Sequence, residues 1–87
     1  MRIVALDSVF REDLEWWIRN DRKTALRLMR IIDETIRDPE GGIGKPERLK
    51  YVQADVWSKR LTKVDRVVYR VLDDRIEFLQ ARFHYRK

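Results

Sequence analysis

The chain changes its hydrophobic period once, across a segment of turn residues at positions 39–50. This segment holds all three glycines and both prolines of the 87-residue chain. Most apolar residues before it recur at helical spacing, whereas those after it alternate with the period of two that strands require. The change predicts one α+β domain spanning residues 1–87, with helices packed on one face of a mainly antiparallel sheet.

The first half predicts a strand followed by two helices. The apolar run from Arg2 to Leu6 predicts a short buried strand. Asp7 or Ser8 supplies the N-cap of the first helix, and Asp21 caps a second helix that runs to about Arg37. The short break between the helices predicts an antiparallel hairpin. The expected core-facing stripes are Phe10, Leu14, Trp17 and Ile18 in the first helix and Ala25, Leu28, Met29, Ile32 and Ile36 in the second.

The second half predicts a three-stranded antiparallel meander. Its strands are expected at positions 56–61, 66–72 and 76–85. A three-residue turn at positions 73–75 pairs odd with odd positions, which buries one face. In the last strand the buried odd positions are Leu79, Ala81 and Phe83. A two-residue turn is disfavoured because it would place Arg66 on the core side of its neighbour. The polar face then holds Arg66, Arg70, Gln80, Arg82 and His84, joined by Arg60 if the first hairpin pairs even with even, while Lys59 points toward the helices and fits poorly there unless it lies near the sheet edge.

Composition excludes several classes of protein. The chain has no cysteine, so neither disulfides nor thiolate metal sites form, and no apolar run is long enough to span a membrane. We therefore expect a cytoplasmic protein. Lys and Arg number 20 against 15 Asp and Glu, a balance that favours polyanions or acidic partners, although solubility alone explains it equally well. The acidic residues Asp73, Asp74 and Glu77 are interpreted as turn residues, and no metal or cofactor is expected.

A cationic sheet face with a carboxylate and an imidazole supports metal-free cleavage of RNA. The 2′-hydroxyl attacks the adjacent phosphorus, which needs a base for the hydroxyl proton, an acid for the leaving 5′-oxygen and a cation beside the developing dianionic phosphorane. Glu47 is the candidate base, His84 the candidate acid and Arg66 the candidate phosphate clamp. Tyr85 would stack on or orient a nucleotide, and Lys50, Arg60 and Arg82 would support phosphate binding. A lone histidine near a strand end is more often structural or merely exposed, so that interpretation stays open.

Four stretches resemble a known family. They are GIGKPERLK at Gly42–Lys50, WSKRL at Trp57–Leu61, DRVVYRV at Asp65–Val71 and the terminal RFHY at Arg82–Tyr85. In content, order and spacing they resemble the YoeB/Txe toxins of the RelE superfamily. The resemblance implies a microbial-ribonuclease-like fold and a ribosome-dependent endoribonuclease that cuts mRNA in the A site. The family's glutamate, arginine, histidine and terminal tyrosine fall on Glu47, Arg66, His84 and Tyr85, and its supporting basic positions on Lys50 and Arg60.

The resemblance also implies partners. These are an acidic, YefM/Axe-like antitoxin that folds on binding, the ribosome with its mRNA, and promoter DNA bound through the antitoxin complex; a homodimer is an option, and no membrane is expected. One alternative is a non-catalytic member of the superfamily that binds RNA or ribosomes, and it stays open. A second is a relative that acts by binding a protein partner, and retention of Glu47 and His84 argues against it. Asp65 stands where the family often has histidine, and we expect it to weaken the phosphate contact of Arg66.

Overall fold

The protein has an α+β fold, which confirms the predicted class. A computed structural model describes residues 3–50, 52 and 55–83. Its strands form one sheet in the order β1-β5-β4-β3-β2, in which β1 runs parallel to β5 and the other pairs are antiparallel. The elements in chain order are β1 (Ile3–Leu6), α1 (Ser8–Asn20), α2 (Arg22–Arg37), β2 (Glu47–Arg48), β3 (Val56–Arg60), β4 (Arg66–Val71) and β5 (Arg75–Gln80).

Two aspartates start the helices, as the sequence predicts. The side chain of Asp7 accepts the backbone N–H of Val9 at 3.0 Å, and Asp7 is the N-cap of α1. Asp21 accepts both the backbone N–H and the hydroxyl of Thr24, at 3.1 and 2.7 Å. These bonds satisfy donors that have no partner inside the helix. The break between the helices is therefore a single capping residue, and the predicted hairpin is confirmed.

The predicted helix stripes are correct at most positions and wrong at two. Ile18 and Met29 are 58% and 46% exposed, because they face outward along the groove between α1 and α2. Ile31, which the stripe omits, is fully buried. The remaining stripe residues lie in the core or pack against it: Phe10, Leu14, Trp17, Ala25, Leu28, Ile32 and Ile36.

The first strand is an edge strand, so the prediction that it is buried is wrong. Ile3, Val4 and Leu6 are 65%, 39% and 45% exposed. The strand has β5 as its single partner in the sheet, and the backbone N–H of Ile3 donates to Asp74 O at 2.9 Å. An apolar run alone does not distinguish a central strand from an edge strand, since both favour β-branched residues.

The turn between β4 and β5 contains two residues, which corrects the predicted three-residue turn. Leu72 N–H donates to Arg75 O at 2.9 Å, so the β4 residues nearest the turn pair odd with even, as in Val71 with Ile76. A β-bulge between Val68 and Tyr69 then restores even pairing. Arg66 therefore stays on the outer face despite the shorter turn.

The bulge also reassigns residues of the last strand. Ile76 and Phe78 enter the main core, whereas Leu79, predicted there, packs on the opposite face. Ala81 is buried in the main core as predicted, but Phe83 is 46% exposed. The strand is also shorter than predicted, since β5 ends at Gln80 and the chain bends at Arg82 and Phe83.

The sheet is covered differently on its two faces. The helices and the main core lie on one face, which we call the helix face. The other, the outer face, carries the polar residues and a small second apolar cluster of Leu49, Val56 and Val68, packed with Val52 and Leu79. No helix among residues 3–50 and 55–83 is both long and apolar enough to cross a bilayer. The predicted division into a helix face and a polar face is confirmed.

Lys59 points toward the helices as predicted, but it is buried inside the fold and not at the sheet edge. Its side chain is fully buried on β3, between β4 and β2. The ammonium donates to the Thr35 hydroxyl at 2.9 Å and lies 5.7 Å from the centre of the Tyr69 ring. Burial lowers the pKa of Lys59, and nearby Glu34 and Asp38 partly oppose that effect. These contacts explain how a lysine is accommodated there.

Candidate active site

A carboxylate and a guanidinium meet on the outer face. Glu47 in β2 pairs with Ser58, and Arg66 at the start of β4 pairs with Arg60. This register places the Glu47 Oε2 atom 3.3 Å from the Arg66 Nη2 atom. The Glu47 side chain is 66% exposed and that of Arg66 only 16%, so the carboxylate is accessible to solvent while the guanidinium is held against the sheet.

Ser58 fixes the orientation of Arg66. The Arg66 Nε atom donates to Ser58 Oγ at 2.9 Å, and Ser58 is fully buried. Because the guanidinium is planar and rigid, a hydrogen bond at Nε also fixes the directions of its remaining N–H groups. Ser58 therefore positions the cation, a role that its place in the WSKRL stretch alone did not indicate.

The glycine-rich segment brings Glu47 to this face. The Tyr69 hydroxyl donates to the Pro39 carbonyl and anchors the start of the segment; burial raises the pKa of Tyr69 far above its usual value, so the phenol remains a donor. Gly44 has a φ of +94°, and its carbonyl accepts the N–H of Arg60 at 2.6 Å. A β-carbon at Gly44 would lie 3.0 Å from Arg60 O, so glycine is required at this approach.

Two of the predicted phosphate-binding residues are exposed. Arg60 lies opposite Arg66 on the neighbouring strand, and the even pairing of this hairpin confirms its predicted place on the outer face. Lys50 directly follows Leu49, a residue of the outer apolar cluster. Their role in binding phosphate stays a prediction.

The predicted place of Arg82 on the outer face is wrong. Its guanidinium carbon lies 3.8 Å from the centre of the Trp16 ring in α1 and 4.9 Å from that of Phe83. The bend after β5 turns Arg82 out of the strand alternation, so period two no longer predicts its direction. Trp16 is a half-exposed rim residue and Trp17 a core residue, as expected. The structure does not bring Arg82 to the Glu47–Arg66 pair.

The chain beyond β5 is tied to both α1 and the start of β4. Asp13 Oδ2 accepts the N–H of Ala81, and the Ala81 carbonyl accepts the indole N–H of Trp17, both at 2.9 Å. The N–H of Arg66 donates to the Phe83 carbonyl at 3.1 Å. The backbone thus reaches Arg66 one residue before His84. His84 and Tyr85 themselves lie outside the described residues.

The Asp65 side chain is bonded to a turn and to the chain that follows β5. Its carboxylate accepts the hydroxyl of Thr62 at 2.8 Å and the N–H of Phe83 at 2.6 Å, while Arg66 forms an ion pair with Glu47. These bonds give Asp65 a structural role, and the expectation that it weakens the phosphate contact of Arg66 stays a prediction.

The acidic residues around the last turn bind arginines. Arg75 lies 3.9 Å from Asp74 and 3.0 Å from Glu77, and Arg70 lies 3.3 Å from Glu77. Within residues 3–50, 52 and 55–83, no group of three or more acidic or histidine side chains is arranged to hold a metal ion. Glu77 therefore neutralises part of the positive charge that Arg70 and Arg75 bring to this end of the sheet.

The fold and the site define a small α+β domain with a carboxylate–guanidinium pair on the sheet face that its helices leave open. The family model for the YoeB-like toxin of the bacterial type II toxin-antitoxin system matches residues 7–85. The toxin YoeB of Mycobacterium bovis is 47% identical over 85 residues, which are 98% of this chain and 100% of that protein.

Solved structures agree. The YoeB/ParE toxin of Agrobacterium tumefaciens superposes with a TM-score of 0.87 at 37% identity, covering 98% of this chain and 100% of that one. YoeB in the heterotetrameric YoeB–YefM complex of Staphylococcus aureus gives 0.84 at 28% identity, with coverage of 98% and 99%. The chain is therefore a toxin of the type II toxin–antitoxin class. It belongs to the YoeB family, as the resemblance of its motifs predicts.

Proposed function

We propose that this toxin is a metal-independent endoribonuclease that cuts mRNA in the A site of the ribosome. Glu47 takes the proton of the attacking 2′-hydroxyl, Arg66 stabilises the phosphorane, and His84 protonates the leaving 5′-oxygen. Lys50 and Arg60 bind flanking phosphates, and Tyr85 orients a nucleotide. Arg82 has no geometric support as a phosphate ligand, and we leave it out of the proposed site.

One observation carries the proposal. Glu47 and Arg66 lie 3.3 Å apart on the outer face, and the N–H of Arg66 donates to the carbonyl of the residue directly before His84. The proposed base thus lies beside the proposed cation, and the main chain of that cation is bonded to the residue from which the proposed acid follows in the sequence. Attack by the 2′-hydroxyl under acid–base catalysis needs the base, the cation and the acid within reach of a single phosphodiester.

The ion pair suggests how substrate engages the site. A phosphate carries the charge and the geometry that a guanidinium binds in a bidentate manner, so it competes with Glu47 for the Nη2 atom of Arg66. Ser58 keeps its bond to Nε meanwhile, which leaves the guanidinium in place. The freed carboxylate, already 66% exposed, can then accept the 2′-hydroxyl proton.

Cleavage on programmed ribosomes tests the proposal. Glu47→Ala, Arg66→Ala and His84→Ala should each lower the single-turnover cleavage rate by at least about 100-fold, the usual size of a general acid–base or electrostatic contribution. Primer extension should map the cuts made by the wild-type protein to the A-site codon. Glu15→Ala and Arg19→Ala remove an exposed pair on α1, 4.0 Å apart, and should cut as wild type does.

Two results would reject the proposal. If all three variants fold and cleave RNA at the wild-type rate, the assignment of the active site is wrong. Salt-sensitive binding of wild-type protein to ribosomes without strand scission would instead identify a non-catalytic binder.

An acidic antitoxin is the partner that this chain's charge favours. The chain carries a net charge of +5, and a related YoeB is solved in complex with YefM. An acidic segment that covers Arg60 and Lys50 would compete with RNA for the same face. Cleavage should then cease on addition of the co-encoded antitoxin, and Arg60→Glu should weaken its association. Unchanged affinity in that variant would place the antitoxin elsewhere.

A further inference from the structure

Asp65 is a buried carboxylate that joins a turn to the end of the chain. It is 7% exposed and stands directly before Arg66. The Thr62 hydroxyl donates to its Oδ2 atom at 2.8 Å, and the Phe83 N–H donates to Oδ1 at 2.6 Å. The Thr62 oxygen in turn accepts the N–H groups of Asp65 and Val64, at 2.9 and 3.2 Å. This turn therefore fixes the carboxylate before it reaches Phe83.

The backbone of Phe83 is held on both of its polar groups. Asp65 accepts its N–H, and its carbonyl accepts the N–H of Arg66 at 3.1 Å. Phe83 has a φ of +58°, a left-handed conformation that bulky side chains disfavour. Such a conformation persists where surrounding contacts impose it. Asp65 and Arg66 thus hold the backbone of Phe83 from both sides and fix its direction.

We propose that Asp65 is a positioning residue for the RNA cleavage described above. It fixes the backbone of Phe83 beside Arg66, and the proposed acid His84 is the next residue in the sequence. The inference depends on the proposed function for its effect on rate. Its structural part, that Asp65 fixes the backbone directly before His84, does not. A charged acceptor binds a backbone N–H more strongly than a neutral one, and a carboxylate offers an oxygen to each of its two donors.

The chain provides a closely matched control. Asp21 makes the same pair of bonds, to a backbone N–H and to a threonine hydroxyl, but at the start of α2. Asp21→Ala therefore removes equivalent chemistry away from the outer face. His84 is the only histidine of the chain, so its ring gives a single set of imidazole signals in the NMR spectrum of protein without a histidine tag.

The experiment measures single-turnover cleavage on ribosomes and the imidazole signals of His84 in Asp65→Ala, Asp65→Asn and Asp21→Ala. Asp65→Ala should lower kcat on the order of 100-fold, since misplacing a reacting group by about 1 Å costs that much, with little change in KM. Its imidazole signals should move or broaden. Asp65→Asn keeps an acceptor for Phe83 and should lose less, while Asp21→Ala should match wild type in both readouts.

The outcomes separate this inference from the proposed function. Equal kcat and equal imidazole signals in Asp65→Ala and Asp21→Ala would overturn the positioning role, as would a loss of activity with unmoved imidazole signals. If Asp65→Ala does not fold, Asp65→Asn and Asp21→Asn are compared by the same criteria. A wild-type protein that never cuts RNA rejects the proposed function alone, because moved imidazole signals in Asp65→Ala would still support the ordering of His84.

Discussion

Arg66 is held at three points, and each comes from a different part of the chain. Its Nε atom donates to Ser58, its Nη2 atom to Glu47 and its backbone N–H to Phe83. The family resemblance identified Arg66 and Glu47, but only the register of β3 against β4 shows that Ser58 lies beside the guanidinium. The alternation of β3 shows which face Ser58 lies on. Which residue lies beside it depends on the pairing with β4, and the sequence of a single strand does not provide that pairing.

Ser58→Ala should slow cleavage without unfolding the protein. The variant loses the acceptor for Arg66 Nε, and a hydrogen bond to a charged group contributes about 1.5–3 kcal/mol. We expect a rate lower by roughly 10- to 100-fold, measured by single-turnover cleavage on ribosomes. Ser8→Ala changes the other serine of the chain, at the exposed start of α1, and should cut at the wild-type rate. Equal rates for the two variants would show that Ser58 does not position Arg66.

Lys59 should make stability depend on pH. Its pKa is lowered from 10.5 by burial, so between the lowered value and 10.5 the unfolded chain binds more protons than the folded one. The free energy of unfolding therefore rises with pH across that window. Lys59→Met lacks this term, and wild type should gain stability relative to it as pH increases from neutrality toward 10.

Urea unfolding of both proteins across that range measures the difference. Tyr69 acts in the opposite direction, since its raised pKa means that stability falls once unfolded tyrosines ionise, above about pH 10. The comparison therefore ends below about pH 10, because Lys59 lies 5.7 Å from the Tyr69 ring and its replacement also changes the surroundings of that phenol. A constant difference between the two proteins would contradict the lowered pKa of Lys59.

At the scale of elements, the glycine-rich segment connects the helices to β2 and controls where Glu47 lies. Gly44 is the point of closest approach, with its carbonyl bonded to Arg60 on the neighbouring strand. The sequence showed that the segment must turn, because it concentrates the glycines and prolines. It did not show β2, since Glu47 and Arg48 form a strand of only two residues, too short for any periodicity.

Gly44→Ala should disturb both stability and cleavage. The φ of +94° disfavours a side chain, and the new β-carbon would meet Arg60 O and Lys59 Cβ at 3.0 Å. We expect a loss of about 1–3 kcal/mol in the free energy of unfolding and slower cleavage, because Glu47 follows three residues later. Chemical denaturation and ribosome cleavage measure the two effects.

Gly41→Ala serves as the control for that variant. The three atoms nearest to its β-carbon would all belong to the side chain of Asp38, which can rotate away, and the change should cost less in both assays. A larger loss for Gly41→Ala than for Gly44→Ala would contradict this account of the segment.

Four of the five described strands could be predicted from the sequence, but their register could not be predicted in full. The meander, the helix hairpin and the caps follow from local patterns, which the structure confirms. The length of the turn at Asp73 and Asp74 could not be predicted from these patterns. The turn is one residue shorter than predicted, and a bulge between Val68 and Tyr69 offsets the difference. A bulge depends on cross-strand packing, as does the edge position of β1. Neither leaves a mark in the alternation of a single strand.

At the scale of the whole molecule, β4 separates a large core from a small one. Val67 belongs to the helix-face core and Val68 to the outer cluster, and both are fully buried. Two neighbouring valines of equal burial therefore report on the two faces independently. The helix face should provide most of the stability, and the outer face should support the site.

Val67→Ala should cost more stability than Val68→Ala. Removing buried methyl groups costs about 1–3 kcal/mol in such sites, and the outer cluster is small enough to relax. Val68 lies opposite Ser58 on the neighbouring strand. For the same loss in the free energy of unfolding, Val68→Ala should therefore lower the cleavage rate more than Val67→Ala does. Denaturant midpoints and cleavage rates of the folded fraction provide both quantities. A greater loss of cleavage in Val67→Ala at equal stability would reverse the assignment of the faces.

The parallel pairing of β1 with β5 has a consequence for a toxin made on the machine that we propose it attacks. Ile3 pairs with Arg75, so β1 has no partner in the sheet until β5 has also left the exit tunnel. Contacts between distant parts of a sequence form late in folding. The nascent polypeptide therefore cannot complete its sheet, or bring Arg66 against the chain that follows β5, while β5 is still inside the ribosome.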